Sequence, residues 1–348
     1  MFLENLGADE QVRLLLDPYA QQQGLELGRV CFASHEQYRI FLESGEYDAT
    51  PTGRLRFDDT LPAVGDWVAA RRVDHDFALI EEVLLRRTQF SRAAAGSGHH
   101  EQVIAANIDV ALIVCGLDHD FNLRRIERYL VLARESGAET VIVLNKSDVC
   151  LDREEKMAQV RGIALETPVV LISALQNVDS LKPFTQGKTV ALLGSSGAGK
   201  STIANALTDE KKQVTGDVRE GDSRGRHTTT SRMLIPLPCG GALIDNPGMR
   251  ELQLWASEAS LDDVFTEIAA LARNCHFADC THNTEPRCAV QAALESGLLD
   301  RARWQSYRKL DAELKYQHRS QDKQAMLAQK KLWKSLHKAV RHHPKYNR

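Results

Sequence analysis

A chain of 348 residues with 43% hydrophobic and 26% charged side chains has the apolar material for two or three folded domains. Its formal net charge of −3 gives no whole-chain sign of nucleic-acid binding. The apolar runs Val110–Val114 and Val190–Leu193 are far too short to span a bilayer, and the first residues carry Glu4, Asp9 and Glu10 rather than a basic leader, so a cytoplasmic chain without membrane association is expected.

Residues 1–23 are predicted as a short helical lead-in. From 24 to 92 the pattern changes to short β-type runs: Arg29–Phe32, Tyr38–Leu42, Asp66–Ala70 and Phe77–Val83. Ser44-Gly45, Pro51-Thr52-Gly53, Pro62 and Gly65 punctuate them, which predicts a small β-barrel. Arg86, Arg87 and Arg92 crowd its end; composition leaves open whether the barrel binds RNA or is purely structural. Residues 93–100 read as a linker within a domain over 93–255.

That domain alternates strand and helix. Strands are predicted at Asp109–Gly116, Thr140–Leu144, Val169–Ile172, Thr189–Leu193 and Gly241–Ile244; helices at Leu123–Ser136, 152–162 and Lys200–Leu207. Such alternation means an α/β domain with a mostly parallel sheet. Residues 256–348 form a helical domain interrupted by a Cys/His cluster. From Lys315 onward ten Lys/Arg face one acid, Asp322, and Leu332, Leu336 and Val340 keep helical spacing among them.

The strongest chemical signal is Gly194-Ser195-Ser196-Gly197-Ala198-Gly199-Lys200-Ser201, followed by Thr202. It fits G-x-x-x-x-G-K-[ST] between a strand and a helix, a P-loop. Backbone N–H groups of such a loop cradle phosphates, Lys200 reaches the β- and γ-phosphates, and Ser201 ligates Mg²⁺. A chance glycine turn lacks this strand–loop–helix context.

Asn145-Lys146-Ser147-Asp148 ends the strand Thr140–Leu144. The Asp148 carboxylate can accept from both N1–H and the exocyclic amino group of guanine, a donor pair adenine lacks. Lys146 is expected along the base and ribose, and Asn145 is expected to tie this loop to the P-loop. Ser173-Ala174, after the next strand, offers a backbone N–H to guanine O6. Asp245-Asn246-Pro247-Gly248 follows Gly241–Ile244: Asp245 suits the Mg²⁺ shell, and the Gly248 N–H suits the γ-phosphate. Thr228-Thr229-Thr230 reads as a switch segment; which threonine ligates Mg²⁺ is open, and Thr229 is the assignment made. Glutamine often follows D-x-x-G to orient the attacking water, but here that position is Met249. His227, beside the threonines, is the candidate for orienting that water.

In an ordinary small GTPase the P-loop comes first and N-K-x-D late. Here Asn145–Asp148 and Ser173-Ala174 precede Gly194–Ser201, so the order is circularly permuted. The segment after Gly248 therefore leads almost directly into the C-terminal domain. There, Cys275-x4-Cys280-x-His282-x5-Cys288 supplies three thiolates and an imidazole, a closed set for one structural Zn²⁺. His276 is a rival ligand, strained by its place beside Cys275.

Together these motifs resemble the RsgA (YjeQ) family of small ribosomal subunit biogenesis GTPases. The resemblance covers nearly the whole chain; Asn246 stands where that family often has Thr or Ser. It implies an N-terminal OB-fold barrel, a permuted P-loop GTPase domain and a helical zinc-binding domain. It further implies hydrolysis of GTP to GDP and phosphate with His227 catalytic, late maturation of the 30S subunit through rRNA contacts, and stimulation by that subunit. A monomer is expected. A P-loop kinase or ATPase would not need Asn145–Asp148, and an RNA-binding adaptor with a vestigial site would not need intact Lys200, Ser201 and Asp245.

Overall fold

The computed structural model of the chain describes residues 2–19, 24–34, 37–93, 101–209, 232–245, 256–317 and 319. It divides into two compact units, Met1–Ser91 with Val103–Leu252 and Arg92–Gln102 with Gln253–Arg348.

The lead-in is not one helix. Gly7, at φ 93°, separates α1 (Phe2–Asn5) from α2 (Glu10–Leu14), and a 3₁₀ turn follows at Asp17–Tyr19. Asp9 caps α2 by accepting the Val12 N–H at 2.8 Å. Leu3, Leu6 and Val12 are buried.

The barrel comprises β1 (Leu25–Ala33), β2 (Tyr38–Leu42), β3 (Gly45–Pro51), β4 (Trp67–Arg72) and β5 (Phe77–Val83), with α3 (Gly53–Phe57) between β3 and β4. The order β1-β2-β3-β5-β4 closes through β1–β4, which is the OB-fold arrangement. Val30, Ile40, Leu42, Val68, Ala70, Ala78 and Ile80 fill it. Each large apolar side chain so buried contributes about 1.5–3 kcal/mol.

Beyond the barrel, β6 (Gln89–Ala93) and β7 (Glu101–Ala106) pair as a separate two-stranded ribbon, so strand reaches Ala93 and resumes at Glu101, on either side of the stretch read as linker. The α/β module then follows in chain order: β8 (Val110–Gly116), α4 (Leu123–Ser136), β9 (Glu139–Asn145), α5 (Arg153–Ala164), β10 (Val169–Leu171), α6 (Lys182–Thr185), β11 (Thr189–Leu193), α7 (Lys200–Thr208), β12 (Arg232–Pro236) and β13 (Ala242–Asp245). Strands run in the order β10-β9-β8-β11-β13, all parallel, with β12 antiparallel on β13. β8, β9 and β11 are buried almost throughout, as expected for central strands of a parallel sheet. β12 also pairs with barrel strand β1, Phe32 opposite Met233, so barrel and α/β module share one continuous sheet.

Arg29 pins that junction. It is 1% exposed and stacks 4.6 Å from the Trp67 ring. It donates to the Leu6 carbonyl of the lead-in, to the Asn107 carbonyl at 3.3 Å and to Thr189 Oγ1 at 2.7 Å, at the start of β11. Burial pulls its pKa down to about 10, opposed by the nearby Asp109 and Asp66 charges, so it stays a cation at neutral pH.

The second unit holds α8 (Glu258–Val264), α9 (Thr266–Arg273), α10 (Ala289–Glu295) and a helix over 301–317, α11. Arg303 lies 4.1 Å from the Phe265 ring centre and donates to Glu267 and the Val264 carbonyl, both at 2.7 Å. Among the described residues no helix is long and apolar enough to cross a membrane. The basic stretch beyond 319 lies outside them.

Candidate functional site

The site assembles at the C-terminal ends of β8, β9, β10, β11 and β13, where open α/β sheets bind ligands. β11 ends at Leu193 and α7 starts at Lys200, leaving Gly194–Gly199 as the loop. Its glycines meet backbone and packing demands, with Gly194 and Gly199 allowing no side chain at all. Gly194, Gly197 and Gly199 hold φ of 147°, 84° and 97°. A Cβ on Gly194 would lie 2.3 Å from the Val114 carbonyl, and one on Gly199 would lie 2.1 Å from Asn145 Nδ2. Lys200 Nζ curls inside the loop, donating to the Gly194 carbonyl at 2.6 Å and to that of Ser195. Ser196 and Gly197 are exposed at the rim, Ala198 is buried, and Ser201 and Thr202 are half-buried in the first turn of α7.

Asn145, 2% exposed, joins three motifs. Its Nδ2 donates to the Ala198 carbonyl at 3.0 Å, and its Oδ1 accepts the Ala174 N–H at 3.0 Å. Ser147 N–H donates to the Ile172 carbonyl at 3.1 Å, fastening the Asn145–Asp148 loop to the residue between β10 and Ser173-Ala174. Lys146 adopts φ 65°, an uncommon conformation for a residue with a side chain, and Asp148 is exposed next to it. Asp245 ends β13, whose residue Ile244 pairs with Ala191 of β11. His227, Thr228–Thr230, Gly248 and Met249 lie outside the described residues.

A loop the motif search passed over, residues 117–122, also reaches this rim. Lys146 Nζ sits 2.6 Å from Asp118 Oδ2, and Asp120 accepts from the Ser195 hydroxyl and from Arg125. The signal was topological: β8 lies between the Asn145 strand and the P-loop strand, so the loop that follows it must emerge between them.

In the second unit, Cys275, Cys280, His282 and Cys288 present ligand atoms all within 4.8 Å of one another. Cys275 Sγ is 3.8 Å from Cys288 Sγ and 3.4 Å from His282 Nδ1; Cys288 Sγ is 3.5 Å from that nitrogen. With Zn–S near ~2.3 Å and Zn–N near ~2.05 Å, a tetrahedral ion has S–S edges of about 3.8 Å and S–N edges of about 3.6 Å. The cluster therefore fits Zn²⁺ through Nδ1 of His282. Cys288 caps α10, taking the Gln291 N–H at 3.5 Å, and Gln291 Nε2 donates to the His282 carbonyl at 2.5 Å. His282 and Cys288 are thereby fixed from outside the ligand set.

Comparison with known proteins matches this architecture. The family model described as RsgA GTPase covers residues 83–255, and one described as 50S ribosome-binding GTPase covers 189–328. The small ribosomal subunit biogenesis GTPase RsgA of Opitutus terrae is 45% identical over 98% of this chain and 97% of that protein. RsgA of Leptospira interrogans serogroup Icterohaemorrhagiae is 44% identical over 91% of this chain and 90% of its own length. Among solved structures, YjeQ from Thermotoga maritima matches at a TM-score of 0.62 with 27% identity, over 83% of this chain and 98% of that one. YloQ, a circularly permuted GTPase, matches at 0.59 with 25% identity, over 84% and 96%. Relatives of this identity and coverage, on top of a permuted order of nucleotide motifs in one sheet, show that the chain belongs to the RsgA family of GTPases and is a GTP hydrolase.

Proposed function

We propose that the chain binds GTP at the rim formed by Gly194–Thr202, Asn145–Asp148 and Ser173-Ala174, and hydrolyses it in late maturation of the 30S ribosomal subunit. The observation that carries this reading is Asn145. One buried amide links the P-loop at Ala198 to the Ala174 N–H, so phosphate and guanine elements that lie far apart in sequence form one rim.

Specificity rests on Asp148, whose carboxylate accepts from two guanine donors; Ser173-Ala174 flanks the O6 edge, where Asn145 Oδ1 holds the Ala174 N–H. Mg²⁺ arriving with GTP neutralises charge on the phosphates. Ser201 and Asp245 would hold it, with Thr229 completing the set. His227 orients the attacking water, a task Met249 cannot perform. The barrel and the basic C-terminal stretch contact rRNA, and docking on the subunit stimulates turnover; in support, the RsgA relatives above are named small ribosomal subunit biogenesis GTPases. The Cys275–Cys288 cluster carries one structural Zn²⁺. The chain acts in the cytoplasm as a monomer.

His227→Ala tests the catalytic assignment. GTP affinity should remain near wild type while 30S-stimulated turnover falls at least roughly tenfold, about 1.4 kcal/mol of barrier. Normal stimulated turnover in that variant removes His227 from the mechanism.

A further inference from the structure

We propose that Asp118 is a positioning residue for guanine binding: it anchors the Lys146 ammonium and so lays the lysine stem where the base must rest. This inference depends on the reading of Asn145–Asp148 as the guanine loop.

The geometry begins with topology. β8 lies between β9 and β11, and its last residue, Gly116, pairs with Asn145. The next residue stays on that track, Leu117 N–H donating to the Asn145 carbonyl at 2.9 Å. Asp118 is thus delivered beside Lys146, and its Oδ2 lies 2.6 Å from Nζ. Gly116 makes room for the pair. A Cβ there would stand 2.8 Å from Asp118 Oδ1 and 3.6 Å from Lys146 Cδ.

A lysine has four rotatable side-chain bonds, and ordering them costs conformational entropy. A stem that must lie flat against a base gains from having its head fixed beforehand. Asp118 can serve because it is itself held. Its Oδ1 accepts the Asp120 N–H at 3.1 Å. Asp120 in turn accepts from Arg125 and from Ser195 of the P-loop. Asn122 caps α4 by accepting the Arg124 and Arg125 N–H groups at 3.0 and 3.2 Å, which fixes the first turn that carries Arg125. One six-residue stretch, 117–122, therefore connects a helix, the phosphate loop and the base-side lysine. Burial opposes the Asp118 charge, but hydrogen bonds from Lys146 and the Asp120 backbone outweigh it and hold the carboxyl below its ordinary range. His119, exposed, places its Nδ1 3.7 Å from the same Oδ2 and also favours the carboxylate form.

With its charge neutralised by Asp118, Lys146 acts on the base and ribose rather than on the phosphates. Losing the anchor should weaken GDP and GTP alike and leave the chemical step alone.

The test uses the full-length protein and a double-mutant cycle of Asp118→Asn and Lys146→Met, with Asp148→Asn measured alongside. Equilibrium affinities for GDP, GTP and XDP and single-turnover hydrolysis of bound GTP are read for each. Asp118→Asn should raise Kd for GDP and GTP in parallel by about tenfold, as expected for loss of a charge-assisted hydrogen bond. Bound GTP should turn over within about twofold of wild type, and Asp118→Asn should add less than about twofold in the Lys146→Met background, since it acts through the lysine. A merely structural aspartate would cost affinity in both backgrounds, and that additive result overturns the proposal. So does nucleotide binding as tight as wild type, or tighter, in Asp118→Asn. If Asp148→Asn keeps its preference for GDP over XDP, the guanine-loop reading fails and takes this inference with it. If that preference shifts while Asp118→Asn is neutral, only the Asp118 inference falls.

Discussion

Asn145 and Asp148 stand three positions apart, yet they do different physical work. Asn145 is buried, with donor and acceptor both used inside the protein, so its amide is architectural. Asp148 is exposed at the rim, its carboxylate available to a ligand. Asp148→Asn should therefore leave the fold intact while abolishing guanine selectivity, because an amide offers one acceptor where two donors arrive. Competition among GDP, XDP and ADP checks this; a guanine preference unchanged from wild type would contradict it. The tie of Asn145 to the P-loop was legible in the sequence because N-K-x-D has fixed spacing, and the same spacing singled out Asp148. Asp118 was not, since its role depends on which strands are neighbours, and no local pattern in Gly116-Leu117-Asp118-His119-Asp120 announces that. Conversely, His227, Thr229 and Gly248 were assigned on motif alone.

At the scale of elements, strongly periodic segments were readable to the residue: Leu123–Ser136, Phe77–Val83 and Thr189–Leu193 all form as expected. β3 was missed because Gly45-Glu46-Tyr47-Asp48-Ala49-Thr50-Pro51 shows only one large apolar residue and ends in a proline. Its inward positions are Tyr47, Ala49 and Pro51, and a terminal proline costs the ladder little. β12 was missed too. Arg232–Pro236 follows the threonine tract, and nothing local shows that it will pair with both β13 and the barrel. The Cys/His cluster was readable because ligand spacing is a chemical constraint rather than a propensity. It makes a sharp prediction: metal analysis of protein purified without chelator should give one Zn²⁺ per chain. Cys280→Ser should unfold the second unit while sparing guanine-nucleotide binding, since the metal's contribution to folding is local. Protein that is zinc-free yet has a fully folded second unit would contradict the assignment.

For the molecule as a whole, the permutation was visible in motif order, but the union of barrel and GTPase module was not. Arg29, on a barrel strand, reaches the lead-in carbonyl of Leu6 and the first residue of the P-loop strand, and β1 pairs with β12. A lone arginine in a β-run carries no such information, because its partners lie 23, 78 and 160 residues away. The basic stretch belongs to this scale as well. Deleting residues 315–348 should weaken binding to 30S subunits and flatten its salt dependence, since each phosphate-contacting Lys or Arg removed takes about one counterion from the slope. Unchanged affinity and slope would mark the stretch as a solvated face.

The most direct measurement of the central claim is steady-state turnover of GTP and ATP by the full-length protein, with and without isolated 30S subunits. The account predicts GTP hydrolysis that accelerates on adding 30S subunits, with ATP neither hydrolysed at a comparable rate nor able to compete. Equal turnover of ATP, or GTP turnover indifferent to 30S subunits, would contradict it.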